Sequence, residues 1–507
     1  MSLLDGVLNR VTTYRLVLYV LLGYIAAGAL LADRGGLAFS PGELLGSAAF
    51  LVLICWAANT LLAGIFRVPA NVESAILTAL ILALIFDPAR SLGDLAILGW
   101  AGILAMGSKY VLAIYNKHIF NPAAIAAVIV AFALNDAASW WVGTAWMLPV
   151  VLAGGFLIVR KTRLEELFGG FVLAALVTAT LVSTVLDVSV GGEVRRLVAE
   201  SPLVFMGTVM LTEPLTMPPT RELRTVYAII AGCLVIPQLH LGSVYSTPEL
   251  ALIVANVFAY LVSPKRRFRL TLNQRRLAAR DTIDFAFALP GGLSYRPGQY
   301  MEWTLHHSGT DRRGNRRYFT IASSPTEPEL RLGVRVGSRR SSFKQALMRV
   351  RKDDSTSILA GQVAGDFTLP ANANEKLVFI AGGIGITPYR SMLKYLIDTG
   401  QKRDIILIYS NARADEIAYR DVLQAAQAGL GVRIIYTLTD LSAVPAGWTG
   451  CTGRIDAEML IRLVPDFAER TFYLSGPPGM VRAVERALHT LPVKRGRIKL
   501  DAFAGLR

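Results

Sequence analysis

The chain has 507 residues, 53% of them hydrophobic, and its mean hydropathy of +0.46 is too high for a wholly soluble enzyme. Residues 1–264 carry 14 Lys and Arg against 15 Asp and Glu, so the formal charge of +15 comes from the second half, which carries +16. A basic surface can bind nucleic acid, but attraction to an anionic membrane explains a basic half beside an apolar one more simply, and we expect no nucleic-acid partner.

The first half contains about ten apolar stretches that are candidate membrane spans. They predict a polytopic α-helical bundle in the lipid bilayer over residues 1–264. Because most Lys and Arg residues gather on one side of these spans, we expect a multi-pass protein of the cytoplasmic membrane with both termini in the cytoplasm. The candidate spans are residues 14–32, 43–65, 72–86, 95–115, 120–134, 140–159, 168–186, 203–218, 225–240 and 248–263.

Three of these spans are short or interrupted by proline. The third begins at Asn71, the fifth begins with Asn121-Pro122, and the eighth contains Glu213-Pro214. Paired broken segments are typical of inverted repeats that surround a site near the membrane midplane. A carboxylate at that depth is costly, so Glu213 is a candidate functional residue, although it can instead cap a half-helix.

The sequences Lys117–Ala124 (KHIFNPAA) and Met210–Thr216 (MLTEPLT) resemble the RnfD/NqrB membrane subunits, which carry flavin in ion-translocating electron-transfer complexes. The resemblance covers about residues 70–263. It implies a helical bundle with inverted repeats and a flavin or quinone path for electrons across the membrane. The cofactor-binding residues that we expect in this half are Asn121, Glu213 and Thr216.

The sequence departs from that family at its covalent flavin site. The Ser-Gly-Ala-Thr stretch whose Thr holds FMN is missing, and Thr144 is a poor substitute. We therefore expect any membrane flavin, FMN or riboflavin, to be bound noncovalently.

No metal site is expected. The three cysteines, Cys55, Cys233 and Cys451, are too few and too far apart to hold an iron–sulfur cluster within one chain. The histidines nearest to the spans, His118 and His240, are predicted on opposite sides of the membrane, which disfavours a haem held by both.

The second half reads as a soluble protein of two domains. From Phe268 onward, short β-runs separated by turn signals predict an antiparallel β-barrel over residues 265–370. After Leu369, strands alternate with helices, which predicts a doubly wound parallel α/β sheet over residues 371–507. We therefore expect a multi-domain chain of three domains.

A glycine turn follows the first strand of that sheet. Val378–Arg390 (VFIAGGIGITPYR) reads as a buried strand, a tight turn and the start of a helix. Its glycines let the backbone approach a ligand closely, and a helix start suits a phosphate, although such a turn also occurs without a ligand. The residues concerned are Gly382, Gly383, Gly385, Thr387 and Pro388.

A barrel followed by such a sheet, with these motifs in this order, resembles the ferredoxin–NADP reductase-like flavoenzymes over residues 268–507. The resemblance implies FAD as cofactor and NAD(P)H as reductant. It places Arg317 at the FAD pyrophosphate, Thr320 at the flavin N5 edge, and Phe319 where the family often has Tyr. Further FAD-binding residues by this resemblance are Pro297, Gln299, Tyr300, Tyr318, Ile321, Ala322, Ser323, Gly337, Ser341, Ser342, Gly361, Gly365 and Phe367.

The same resemblance assigns a second loop to the nicotinamide and an aromatic tail to the flavin ring. The loop contains Gly476, Pro477 and Met480, and it begins at Ser475, where many members have Cys; Phe503 would cover the flavin ring, although it can simply be a buried terminal residue. The predicted catalytic residues are thus Thr320, Ser475 and Phe503. Ser410 and Arg413 can meet a 2′-phosphate or be solvated, so the coenzyme is NADH or NADPH, with a slight preference for NADH.

These features predict a membrane-bound, flavin-dependent NAD(P)H oxidoreductase. Cytoplasmic NAD(P)H would reduce FAD, and electrons would pass by a membrane flavin to an extracytoplasmic acceptor such as a flavoprotein. Three alternatives remain open: a component of a Na⁺ or H⁺ redox pump, a membrane-anchored NADH:quinone reductase, and a transporter with a regulatory nucleotide domain.

Overall fold

The computed structural model describes residues 8, 11–66, 71–114, 117–264, 267–305, 307–311, 315–337, 341–352 and 358–501. The chain separates into two compact units, one ending at Lys265 and the other beginning at Arg266. Three domains, with boundaries after residues 264 and 370, stay a prediction.

The first unit is a bundle of helices packed around one apolar core. Two short hairpins accompany it, β1 (Ala113–Ile114) with β2 (Lys117–His118) and β3 (His240–Leu241) with β4 (Val244–Tyr245). The helices are α1 (Thr13–Asp33), α2 (Pro41–Ile65), α3 (Val72–Ile85), α4 (Leu92–Val111), α5 (Pro122–Leu134), α6 (Leu148–Thr162), α7 (Glu165–Val185), α8 (Val190–Ala199), α9 (Leu203–Phe205), α10 (Arg221–Leu234) and α11 (Pro248–Val262).

Among the described residues, three helices are long and apolar enough to cross a membrane by length and composition: α1, α2 and α7. Helices α3, α5 and α11 are apolar but shorter. Helical structure is present within each candidate span, but the ten-span topology and the inverted repeats stay predictions.

Two candidate spans were predicted with the wrong bounds. Residues 203–218 are helical only as far as Met210, with Met206–Met210 wound as a π-helix. Residues 211–219 are not helical, because Pro214, Pro218 and Pro219 have no N–H to donate to a helix. In residues 140–159, the left-handed backbone conformation of Trp140 (φ 53°) is incompatible with an α-helix, and the α-helix begins only at Leu148.

The second unit begins with seven antiparallel strands and one helix, α12 (Ser342–Arg349). The strands are β5 (Phe268–Leu270), β6 (Leu272–Ala279), β7 (Thr282–Ala288), β8 (Tyr300–Leu305), β9 (Arg316–Thr320), β10 (Glu329–Arg335) and β11 (Ile358–Ala364). They form one sheet of order β10-β7-β6 and another of order β5-β11-β8-β9. Phe287 and Trp303 meet in the core that the strands share.

The strand pairing does not show the predicted antiparallel β-barrel. The chain passes from one sheet to the other at Thr271, between β5 and β6, and no strand pairing joins the two sheets within the described residues. The short β-runs and turn signals therefore predicted the antiparallel strands correctly. The closure of a barrel depends on pairing between distant strands, which such local signals do not contain.

The rest of the second unit is a six-stranded parallel sheet, which confirms the predicted doubly wound fold. Its order is β15-β14-β13-β12-β16-β17, so the first strand lies in the middle and the chain departs from it in both directions. Ligands bind to such sheets beyond the carboxyl ends of the strands where the order reverses, which here is the edge between β12 and β16. The strands are β12 (Leu377–Gly382), β13 (Ile405–Asn411), β14 (Arg433–Leu438), β15 (Cys451–Thr452), β16 (Thr471–Ser475) and β17 (Ile498–Leu500), with helices α13 (Thr387–Thr399), α14 (Arg420–Leu430), α15 (Ala457–Leu463) and α16 (Pro478–His489).

Candidate active site

Two turns meet at the carboxyl edge between β12 and β16. Ala381 and Ser475 are paired in register where these strands end. A Cβ on Gly385 would lie 2.4 Å from the Ser475 carbonyl oxygen and 2.6 Å from Gly476 Cα, and a Cβ on Gly382 would lie 2.4 Å from the Met480 sulfur. At position 385 a Cβ would collide with the backbone of Ser475 and Gly476, and at position 382 it would collide with the Met480 side chain, so the predicted nicotinamide turns form one packed structure.

The side chains at this edge hold the turns in place. Thr387 Oγ1 donates to the Ile384 carbonyl oxygen at 3.1 Å, and the following Pro388 fits the first turn of α13. The buried Ser475 Oγ donates to Asp501 Oδ2 at 2.8 Å. The tail therefore passes next to Ser475, while the predicted contact of Phe503 with the flavin lies outside the described residues.

The segment predicted to meet a 2′-phosphate has its positive charge close to two carboxylates. Ser410 is buried and pairs in register with Gly382. Arg413 lies 3.6 Å from an Asp415 carboxylate oxygen and 4.0 Å from one of Asp440. These carboxylates partly neutralise the guanidinium and would repel a 2′-phosphate.

The sequence analysis missed Asn411, the last residue of β13. It is 4% exposed, and its amide lies beside the Tyr409 hydroxyl but makes no well-aligned hydrogen bond in the described part of the chain. A buried amide that is poorly satisfied is costly, so this end of β13 fits a nucleotide that would supply a better partner.

The predicted flavin strand β9 presents its residues alternately to two sides. On one side, the Arg317 guanidinium lies 5.4 Å from the ring centre of Phe343 in α12, and Phe319 packs 5.8 Å from the same ring. On the other side, the Tyr318 hydroxyl donates to Glu302 Oε2 at 2.6 Å. Thr320 is buried and pairs in register with Tyr300.

Glu302 is a buried carboxylate beneath this strand. Burial alone would raise its pKa, but the positive charges of Arg316 and Arg267, with hydrogen bonds from Tyr318 and Thr304, hold the pKa below its usual value. The anion therefore stabilises the folded unit at neutral pH, and that contribution is lost only as the pH falls through the lowered pKa.

The groups predicted for the FAD pyrophosphate meet around one anion, the carboxylate of Asp311. Arg317 Nη2 lies 2.9 Å from Oδ1, and the Ser342 backbone N–H donates to Oδ2 at 3.2 Å. Asp311 N donates in turn to Ser342 Oγ at 2.9 Å, and Ser341 caps α12 by accepting from Lys344 N. A guanidinium and a helix N-terminus that together hold a carboxylate also fit a phosphate, so FAD fits this site if Asp311 moves aside.

We expect Asp311→Asn to bind FAD more tightly, because the carboxylate occupies the atoms that the pyrophosphate needs. The expected gain is about fivefold in affinity, or ~1 kcal/mol. Titration of the apoprotein with FAD, followed by quenching of flavin fluorescence, measures it. Asp440→Asn is the matched control, and unchanged or weaker FAD binding by Asp311→Asn would show that the carboxylate does not compete.

The other predicted FAD residues lie near β9, where most of them pack or make hydrogen bonds within the protein. The Gln299 side chain donates from Nε2 to the Gly365 carbonyl oxygen at 3.1 Å, and the Gln299 backbone carbonyl oxygen accepts from Ile321 N at 2.9 Å. Phe367 packs against Tyr389 and Tyr473. Gly361 is paired in register with Glu302, and Gly337 has open space at its Cβ position; Pro297, Ala322 and Ser323 are buried.

The three residues predicted in the membrane half also lie together. Asn121 caps α5 through Oδ1 and donates from Nδ2 to Glu213 Oε2 at 2.9 Å, and Thr216 Oγ1 donates to the same oxygen at 3.2 Å. His118 Nε2 lies 3.6 Å from Glu213 Oε1, and Asn256 Oδ1 accepts from Asn121 N at 2.8 Å.

The sequence left open whether Glu213 has a functional role or caps a helix, and the contacts of this Glu213 cluster bear on both interpretations. Asn121 and Thr216 donate side-chain hydrogen bonds to Glu213, and the residue that caps a helix here is Asn121. His118 Nε2 is buried and has no hydrogen bond in the described part of the chain, so it is the group of the cluster that fits a further ligand.

Comparison with known proteins agrees with this geometry. Residues 379–486 match the family model of the oxidoreductase NAD-binding domain. The chain is 28% identical, over 44% of its length and 63% of the relative's, to the stachydrine N-demethylase reductase subunit of Rhizobium meliloti. The C-terminal half of the chain is a ferredoxin–NADP reductase-like FAD/NAD-binding module. Its prediction as a flavin-dependent NAD(P)H oxidoreductase module is confirmed.

Two further proteins resemble the module. The glycine betaine monooxygenase reductase subunit of Pseudomonas aeruginosa is 26% identical over 41% of this chain and 56% of its own. The flavohaem-like FAD/NAD-binding domain of nitric oxide dioxygenase from Vibrio cholerae is 21% identical, with a TM-score of 0.41, over 46% of this chain and 97% of its own. The chain spans less than two thirds of the length of the two reductase subunits.

Proposed function

We propose that the chain is a membrane-bound NAD(P)H:acceptor oxidoreductase that passes electrons from the cytoplasm to an extracytoplasmic acceptor. The observation that carries the proposal is the contact of the two turns at Gly385 and Ser475, at the edge where doubly wound sheets bind nucleotides. The module resembles the reductase subunits of a demethylase and of a monooxygenase, which supports a role in electron transfer to a partner.

The residues of the module divide the work between two ligands. Gly382, Gly385 and the Ser475 loop hold the nicotinamide end of NAD(P)H, while Arg317 and the N-terminus of α12 hold the FAD pyrophosphate. When bound there, FAD would supply the capacity to take up a hydride, which is two electrons with one proton, and to release electrons singly. Thr320, the buried last residue of β9, would help to exclude water from the flavin edge.

We propose NADH as the preferred coenzyme, because Asp415 and Asp440 lie beside Arg413 where a 2′-phosphate would need positive charge. We also propose that the first unit is similar to the RnfD/NqrB membrane subunits and spans the cytoplasmic membrane with both termini in the cytoplasm. It would hold noncovalent FMN or riboflavin near Asn121, Glu213, Thr216 and His118. The apolar helices α1, α2 and α7 support the membrane assignment. The extracytoplasmic partner is then a flavoprotein or another electron acceptor, and membrane quinone is the competing acceptor.

Flavin content and coenzyme preference test this proposal on the purified full-length protein. We expect FAD plus a second flavin, both released by denaturation, and a higher kcat/KM for NADH than for NADPH with a dye acceptor. A protein that binds no FAD and oxidises neither coenzyme would contradict the proposed function, while one flavin per chain would contradict the membrane flavin alone.

A further inference from the structure

A buried arginine lies directly behind the glycine turn. Arg390 is in the first turn of α13, the helix that this turn opens, and only 2% of its surface is exposed. A guanidinium does not lose its charge in proteins, so its burial is costly unless the surrounding groups satisfy it. Its partners therefore indicate what the fold uses it for.

Those partners belong to the segment that follows the flavin strand. Glu327 accepts from both arms of the guanidinium, from Nη1 and, at 2.8 Å, from Nη2. Nη1 also donates to the Ala322 carbonyl oxygen at 3.0 Å. The next helix residue, Ser391, donates from Oγ to the Ser323 carbonyl oxygen at 2.5 Å. A two-armed contact of this kind fixes direction as well as distance.

These contacts join the two elements that would carry the reacting groups. Ala322 lies two residues after Thr320, the end of β9, and its own N–H donates to the Arg331 carbonyl oxygen at 2.9 Å. Glu327 Oε2 also accepts from Ser324 N at 2.7 Å, so the carboxylate is held from its own side as well. A shift of α13 would therefore move or break the support of β9.

A second charged pair completes this network. Asp284 accepts from Arg331 Nη1 at 2.6 Å and from the Tyr419 hydroxyl at 3.0 Å. The Tyr419 ring centre lies 5.7 Å from the guanidinium carbon of Arg390. Arg331 Nε is 3.7 Å from Glu327 Oε1, and the further pairs of Arg276 with Asp284 and of Arg331 with Glu329 extend the network to three arginines and three carboxylates. Because opposite charges are paired, these buried groups can stay ionised without a large net charge.

We propose that Arg390 is a positioning residue for hydride transfer. Through Glu327 and the Ala322 carbonyl it holds the nicotinamide turn at the distance from the flavin strand that the reaction requires. The inference rests on the proposed function, in which NAD(P)H gives up one hydride, two electrons with one proton, to the flavin and becomes NAD(P)⁺. A misplacement of about 1 Å can lower the rate of such a step about 10²-fold.

The double variant Arg390→Met/Glu327→Met tests the proposal, because removing both charges leaves no unpaired buried ion. Anaerobic rapid mixing of the FAD-loaded, full-length protein with NADH gives the limiting rate of flavin bleaching and the half-saturating NADH concentration. We expect the limiting rate to fall at least about tenfold, with half-saturation and FAD content changed by less than about twofold. A merely structural role would lower FAD content and the unfolding midpoint but not the rate per bound FAD.

Two further variants keep the test decisive. Lys376→Met/Glu469→Gln removes a surface ion pair in the same unit and is expected to leave the rate unchanged. Ser391→Ala removes only the contact with Ser323 and is expected to lower the limiting rate about threefold, which decides the matter if the double variant loses FAD. The proposal is overturned if the FAD-loaded double variant keeps the normal rate per bound FAD. If the double variant does not bind FAD, a normal rate per bound FAD in the Ser391→Ala protein overturns it. Failure of the unmodified protein to oxidise NADH or NADPH would instead count against the proposed function.

Discussion

We expect Gly385→Ala to lower kcat/KM for NADH about 10²-fold while leaving FAD bound. The new Cβ would lie 2.4 Å from the Ser475 carbonyl oxygen and 2.5 Å from its carbonyl carbon, so one of the two turns must move. These atoms belong to backbone, which cannot rotate away as the end of a flexible side chain can. The separation of the turns would misplace the nicotinamide, whereas the residues around Arg317 would be untouched.

Steady-state kinetics with a dye acceptor and flavin absorbance of the purified protein measure both parts of this expectation. Gly429→Ala is the matched control, because Gly429 lies on the exposed face of α14 with no atom within 4 Å of its Cβ position. Alanine favours a helix over glycine, so this control is expected to be as stable as the original protein or more so. If Gly385→Ala keeps its kcat/KM within about threefold, the contact of the two turns is not where the nicotinamide binds.

The second large effect is expected from Arg317→Met, which removes the guanidinium from the anion site. Charge-assisted hydrogen bonds to a pyrophosphate contribute about 3 kcal/mol, so FAD affinity is expected to fall about 10²-fold and the protein to purify largely without FAD. Arg317→Lys keeps the charge but not the fork, and we expect an intermediate loss of about tenfold.

Titration with FAD and measurement of bound flavin after gel filtration test this expectation. Arg462→Met removes an exposed arginine of α15 and serves as the matched control. An Arg317→Met protein that retains FAD at the original affinity would show that the pyrophosphate is not bound between β9 and α12.

Local patterns were sufficient to predict the parts of the site that are continuous in sequence. The glycine turn, the Ser475 loop and the alternation of strand and helix each depend on residues within a few positions of one another. The contact between the turns also follows, because parallel strands place their carboxyl ends at one edge of a sheet. The sequence therefore predicted the parallel sheet and its edge correctly.

The features that the sequence did not predict depend on distant partners. Arg390 lies 63 positions from Glu327, and nothing in its own segment indicates a buried fork. Asp311 lies in a loop without periodicity, so its place in the anion site could not be anticipated. Asn121 and Glu213, by contrast, are 92 positions apart and were both singled out, because polar residues stand out in apolar segments.

The central claim is that electrons enter at the reductase module and leave on the opposite side of the membrane. Sealed vesicles that contain the purified protein, with NADH trapped inside and a membrane-impermeant acceptor outside, test it most directly. Only molecules with the module facing the interior can use the trapped NADH. We predict reduction of the outside acceptor that depends on NADH, becomes much slower when Gly385→Ala protein is used, and continues without added quinone. Oxidation of NADH that reduces only quinone in the bilayer, with no reduction outside, would contradict it.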